Sequence, residues 1–125
     1  MNVNGKEIRF RRTVSANCRL ADIAPGHDIS RFFKEKILSM NYAEAQRAAA
    51  QFVAAMNEGY EIYKNFIDPA HVPAPVKPEA LLGLDEETFN ALYQEALKAY
   101  NSDGKTTVEV QPPKGKKTKK PGASN

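Results

Sequence analysis

The stretch from Asn41 to Asp68 constrains this chain more than any other. Its apolar residues Tyr42, Ala45, Ala49, Phe52, Val53, Met56, Tyr60 and Tyr63 recur every three or four positions, the repeat of one face of an α-helix. Asn41 and Glu44 stand three apart, as in a capping box with Asn in place of Ser or Thr. The alanine-rich run that follows has the highest helix propensity in the chain. Asp68-Pro69 ends the helix, because a residue before proline avoids the α region. Gly59 interrupts the propensity but not the stripe, which marks a bend or a site of close packing. A helix this long needs other elements to cover its stripe.

Those elements are legible on both sides. Asn4-Gly5 tolerates the positive φ angles of a type I′ turn and predicts a short hairpin within residues 1–12, with Ile8 and Phe10 on one face and Glu7, Arg9 and Arg11 on the other. Two strands alone are marginal in water, so the hairpin must pack on helices or pair with another chain. A short helix is predicted over 13–23, capped by Thr13 or Ser15, with Val14, Cys18 and Ala21 as its stripe and Pro25-Gly26 as its stop. A second is predicted over 29–40, capped by Asp28, with Ile29, Phe32, Phe33, Ile37 and Met40 facing inward. The last begins near Asp85 with Glu86 and Glu87 in its first turn, where the helix dipole favours negative charge. Its stripe is Phe89, Leu92, Tyr93, Ala96, Leu97 and Tyr100, and Asn101 and Gly104 end it. A short turn at Glu79–Leu82 precedes it. The fold class is therefore mainly α, with about four helices, a short N-terminal β-hairpin and a disordered C-terminal tail.

Between the long helix and the last one lie Pro69, Pro73, Pro75 and Pro78. Residues 69–78 are predicted to be an extended, semi-rigid connector that wraps across the helical surface or holds the next helix at a distance. It belongs inside one helical domain spanning residues 1–100. Residues 101–125 lack helical periodicity and are too polar to offset an ordering cost of about 1–2 kcal/mol per residue.

The net charge of +3 on 125 residues raises the question of nucleic acid. Residues 1–100 carry 12 Lys/Arg against 13 Asp/Glu, a net of −1, whereas residues 101–125 carry six Lys against Asp103 and Glu109, a net of +4. The basicity thus sits in the tail. Lys114, Lys116, Lys117, Lys119 and Lys120 are the candidate contacts for phosphates there, but no aromatic residue lies among them for base stacking. A nucleic-acid partner is not expected. No apolar run approaches the roughly 18 residues of a membrane span, and the N-terminus lacks the apolar core of a secretory signal. A lone cysteine, Cys18, suits a reducing compartment, so a soluble cytoplasmic protein is expected.

No chemistry-bearing constellation emerges. Cys18 with His27 has no recognised nucleophile signature around it, and its place on the helix 13–23 stripe accounts for it by burial. His27, His71, Asp22 and Asp28 lack metal-ligand spacing. Glu58 with Glu61, and Asp85 with Glu86 and Glu87, have no partner groups for acid–base work. No enzyme activity, metal or cofactor is expected. The aromatic and apolar positions carry the functional expectation. A four-helix chain this short leaves some large rings partly uncovered, and such rings anchor protein partners. Phe52, Met56, Tyr60, Tyr63 and Phe66 on the long helix, with Tyr93 and Tyr100 on the last, are the candidate partner-binding residues.

The layout resembles the tail assembly chaperones of long-tailed bacteriophages. The matching segments are VNGKEIRF (Val3–Phe10), RFFKEKILSMNYAEAQRAAAQFVAAMNEGYE (Arg31–Glu61) and LGLDEETFNALYQEALKAY (Leu82–Tyr100), followed by a polar lysine-rich end. The likeness is one of size, order and texture over residues 3–100, and the proline connector is longer than the pattern leads one to expect. The resemblance implies a helical protein that self-associates and coats the tape measure protein before tail tube subunits polymerise around it. It also implies a protein of the bacterial host cytoplasm that is absent from the finished virion. Many such proteins are made in two lengths by ribosomal frameshifting, and the pairs Lys116-Lys117 and Lys119-Lys120 are compatible with slippery codons. Two other readings remain open: a nucleic-acid-associated accessory protein using its tail, and a structural tail or head-completion subunit.

Overall fold

The computed structural model describes residues 1–102. The expectations for the lysine-rich tail, including Lys114, Lys116, Lys117, Lys119 and Lys120, lie outside the described residues.

The chain is mainly helical. A two-stranded antiparallel hairpin, β1 (Asn2–Val3) and β2 (Lys6–Glu7), pairs Asn2 with Glu7 and Val3 with Lys6. Its turn has Asn4 at φ 51° and Gly5 at φ 88°, the two positive angles that the Asn-Gly pair was read for. The strands stop at Glu7, shorter than expected, because Ile8 is already buried in the helical core and the backbone beyond it bonds to the long helix instead. The Arg11 amide donates to the Met56 carbonyl at 3.1 Å, and Asn57 Nδ2 donates to the Arg9 carbonyl at 2.8 Å. Arg9 and Arg11 therefore lie beyond the paired strands and are not the outer face of a hairpin. The Arg11 guanidinium lies 3.9 Å over the Tyr63 ring, and that of Arg12 lies 3.9 Å over Tyr100.

Helix α1 (Val14–Ile23) is capped by Thr13, whose hydroxyl accepts from the Ala16 amide. Its buried face is Ala16 and Leu20, continued by Ala24 just beyond its end. The expected stripe of Val14, Cys18 and Ala21 is overturned: Val14 is 79% exposed and Cys18 is exposed. The helix is rotated to bring Leu20 inward and to set Ala16 against Gly59 of the long helix, where no larger side chain fits.

Helix α2 (Ile29–Arg31) is capped by Asp28 and widens at once into a π-helical segment, Phe32–Ile37. The i→i+5 repeat of a π-helix aligns Phe32 with Ile37, and both are buried together with Phe33. The wider turn also ends the helix early. Met40, expected on the inner stripe, stands outside it and is 85% exposed.

Helix α3 (Tyr42–Ile67) has 26 residues and is roughly 39 Å long. Asn41 caps it through the Glu44 amide at 2.9 Å. The reciprocal half of the capping box is not made: the Glu44 carboxylate instead accepts from Ser39 Oγ and Lys36 Nζ. Those two donors hold its carboxyl below the usual glutamate range, with Lys36 the larger cause. The helix packs against α1, the π segment, helix α4 (Pro78–Leu81) and helix α5 (Glu86–Asn101). It is buried almost all round from Ala45 to Asn57, and its alanines let neighbours approach from several sides. Asp85 caps α5 through the Thr88 amide at 2.8 Å, which lowers the Asp85 carboxyl. All six residues expected on the α5 stripe, from Phe89 to Tyr100, are buried.

The core centres on an aromatic cluster. Phe52 meets Phe33, Tyr93 and Tyr100 at centroid distances of 5.3, 5.8 and 5.7 Å, each edge to face. Such pairs add about 0.5–1.5 kcal/mol beyond their area burial. They tie the π segment, α3 and α5 together.

Candidate interaction surfaces

The structure divides the candidate partner-binding residues. Phe52, Met56, Tyr93 and Tyr100 are core: the first three are fully buried and Tyr100 is 3% exposed. They are unavailable to a partner in this fold, which corrects the expectation placed on them. Tyr60 and Tyr63 are half-buried, and Tyr63 lies beneath Arg11. Phe66 alone of the seven stands well out, at 83% exposure.

Tyr93 carries a second consequence of burial. Its hydroxyl has no hydrogen-bond partner among the described residues, and burial pushes its ionisation well above the ordinary tyrosine value. Removing an unsatisfied buried group relieves a desolvation penalty. Tyr93→Phe is expected to leave stability unchanged or to raise it by up to about 1 kcal/mol, measured by urea denaturation. A loss above about 1 kcal/mol would show that the hydroxyl is satisfied in solution.

Near Phe66 in the sequence lie three further exposed apolar side chains outside the expected stripe. Ile62 is 42% exposed, Ile67 53% and Val72 77%. Ile62 and Phe66 are four apart on α3 and so share one face, offset from the stripe that runs into the core. The sequence signal was that spacing; the tyrosines at 60 and 63 obscured it.

The proline connector explains why this end of α3 stays open. It turns back and lies along α3, held by three side chains four residues apart. Asn65 Nδ2 donates to the His71 carbonyl at 2.8 Å. Glu61 Oε1 lies 2.7 Å from His71 Nε2 and accepts from the Ala74 amide at 3.1 Å. Asn57 Oδ1 accepts from the Val76 amide at 2.8 Å. The only N–H groups between residues 73 and 76 belong to Ala74 and Val76, since Pro73 and Pro75 have none. Both are spent on α3, so this strip offers no donor for pairing with a further strand. The connector thus covers the polar ladder of α3 and leaves the Ile62–Phe66 face bare. The Asn57, Glu61, Asn65 spacing is visible in the sequence, where only Glu61 drew attention, paired with Glu58.

Two concavities flank α3. One, of about 480 Å³, lies between α1, α3 and the connector. Its floor includes Ile23, Ala54, Ala55 and Val76, and at its rim Arg19 grips Glu58 through two bonds of 2.9 Å. Exposed pairs of this kind contribute little to stability, roughly 0–1 kcal/mol. The other, of about 440 Å³, lies where the first turns of α3 and α5 meet α4.

Most of the carboxylates and histidines weighed for chemistry have structural partners. Glu58 binds Arg19, Glu61 binds the connector, and Asp28 and Asp85 cap helices. His27 Nδ1 lies 3.2 Å from the Ala21 carbonyl. Among the described residues, no group of three or more His, Cys, Asp and Glu side chains is placed to hold a metal ion, and no helix is long and apolar enough to cross a membrane. Comparison with protein-family models, with curated proteins and with solved structures found no match.

Proposed function

We propose that this chain is a protein-binding module of the phage tail assembly chaperone kind, which captures apolar helices of a tape measure protein while tail tube subunits assemble. The observation that carries this reading is the apolar face at the end of α3. After the core is complete, Ile62, Phe66, Ile67 and Val72 remain exposed within eleven residues. Large contiguous apolar surface marks a site of association. A helix face offering anchors at i and i+4 suits a client helix, or a second copy of the chain, without any site chemistry. The order of hairpin, short helices, long alanine-rich helix and terminal helix supports the same reading. On it, the protein self-associates, acts in the cytoplasm of a bacterial host and is absent from the finished particle.

Co-expression tests it. The full chain, produced with a candidate tape measure protein, is expected to raise that client's soluble fraction several-fold. If the chain is folded and the client stays insoluble, the reading fails.

A further inference from the structure

The trough at the junction of α3, α4 and α5 sits at the opposite end of α3 from Phe66 and has a different character. We infer that it docks a basic amphipathic helix of a partner polypeptide; the inference deepens the proposed function and rests on it only for the kind of partner. Leu81, Leu84 and Phe89 line the trough, while Tyr42 and Leu82 are about half exposed at its edge. Its volume of about 440 Å³ compares with the ~150 Å³ of a cavity that holds one benzene-sized group, which leaves room for two or three apolar side chains.

Charge decides the partner. From Glu79 to Leu97 the sequence holds five carboxylates and no Lys or Arg. Four of them, Glu79, Asp85, Glu86 and Glu87, border the α4–α5 turn, and all four are exposed. Asp85 caps α5 and Glu86 accepts from the Tyr42 hydroxyl at 3.0 Å. Glu79 and Glu87 make no ion pair among the described residues, and no Lys or Arg lines the trough. A trough with Leu81, Leu84 and Phe89 at its base, Glu86 in its lining and Glu79, Asp85 and Glu87 on the adjoining helix ends suits a helix that carries leucine-like anchors at i, i+3 and i+4 with lysine or arginine between them. An extended strand is a poor occupant, because the trough is walled by helices and has no free sheet edge.

The test titrates two synthetic sixteen-residue helices into the isotopically labelled full chain, one built of Leu and Lys, the other of Leu and Glu at the same positions. The Leu/Lys peptide is expected to bind in the micromolar range and to shift the amides of Leu82, Leu84, Glu86 and Phe89. Binding is expected to weaken about tenfold in the Glu79→Lys/Glu87→Lys variant and to fall in 0.5 M salt, where screening extends to only a few ångströms. The Leu/Glu peptide is expected not to bind there. Equal binding of both peptides, shifts confined to another surface, or an affinity untouched by the charge reversal would each overturn the inference. So would trough amides in the free chain that move when residues 112–125 are removed, since the chain's own lysines would then be the occupant. Client solubilisation that survives the charge reversal, with no peptide binding, removes this inference and leaves the proposed function standing. Peptide binding at the trough without client solubilisation does the reverse.

Discussion

Gly59→Ala is expected to destabilise the protein by about 2 kcal/mol or more, although alanine favours a helix interior by about 1 kcal/mol over glycine. The sign turns on the space beside α3. A Cβ at position 59 would lie 2.6 Å from the Arg11 carbonyl oxygen, 2.7 Å from Thr13 Oγ1 and 3.1 Å from Ala16 Cβ. The first of these is backbone and cannot swing away. Overpacking of this kind costs about 1–3 kcal/mol. Relief requires the 11–16 segment to withdraw from α3, which stretches the bond from the Arg11 amide to Met56 and disturbs the Thr13 cap of α1. A lost cap costs about 1 kcal/mol. The sum exceeds the propensity gain, and a loss of about 2 kcal/mol corresponds to roughly 8–16 °C in melting temperature for a domain of this size. Gly83→Ala is the control: its nearest neighbour would be the Ala80 carbonyl oxygen at 3.4 Å, an ordinary contact. A melting temperature unchanged or raised by Gly59→Ala would mean that α1 does not sit against α3 as described.

Asn57→Ala is expected to cost about 2–3 kcal/mol and to free both segments that Asn57 holds. The side chain is 2% exposed and bridges two chains of backbone: it donates to the Arg9 carbonyl and accepts from the Val76 amide, both at 2.8 Å. Truncation leaves a carbonyl and an amide without partners, and each such group costs about 1–3 kcal/mol when it stays buried. Both lie near the surface and regain some water, which places the total toward the lower end. The loss has a local signature. The Val76 amide should exchange with solvent much faster in the variant, because the connector is released at its α3 contact nearest the core. A drop in stability without faster exchange at Val76 would assign the cost to packing alone.

These two sites show what the sequence made legible and what it did not. Local signals located α3 and α5, the Asn4-Gly5 turn, the caps at Asp28 and Asn41, Thr13 as one of two candidate caps of α1 and the start of α5 near Asp85, because each depends on residues within one turn of each other. The facing of α1 was misread. Val14, Cys18 and Ala21 match a helical repeat, but Ala16 and Leu20 match one equally well. What chooses between them is the gap at Gly59, a feature of a distant element. Met40 was lost to the π turn, whose changed repeat follows from packing around Phe32 and Ile37 and not from local preference. The connector was recognised as extended, but its course along α3 depends on side chains at 57, 61 and 65 that sequence alone presents as ordinary polar residues. The same limit applied to the candidate surface. Seven large residues were named on the expectation that a small domain leaves some uncovered. Phe52, Met56, Tyr93 and Tyr100 instead close the core against one another, and Ile62, Ile67 and Val72 join Phe66 outside.

The most direct test of the account is whether that outer face is what a client touches. The double variant Ile62→Asp/Phe66→Asp removes it at positions already exposed, so its unfolding free energy is expected to stay within about 1 kcal/mol of the original. Co-expressed with the tape measure candidate, the unaltered chain should keep the client soluble and the double variant should not. Equal solubilisation by the two proteins would contradict the assignment of the α3 end as the client-binding surface.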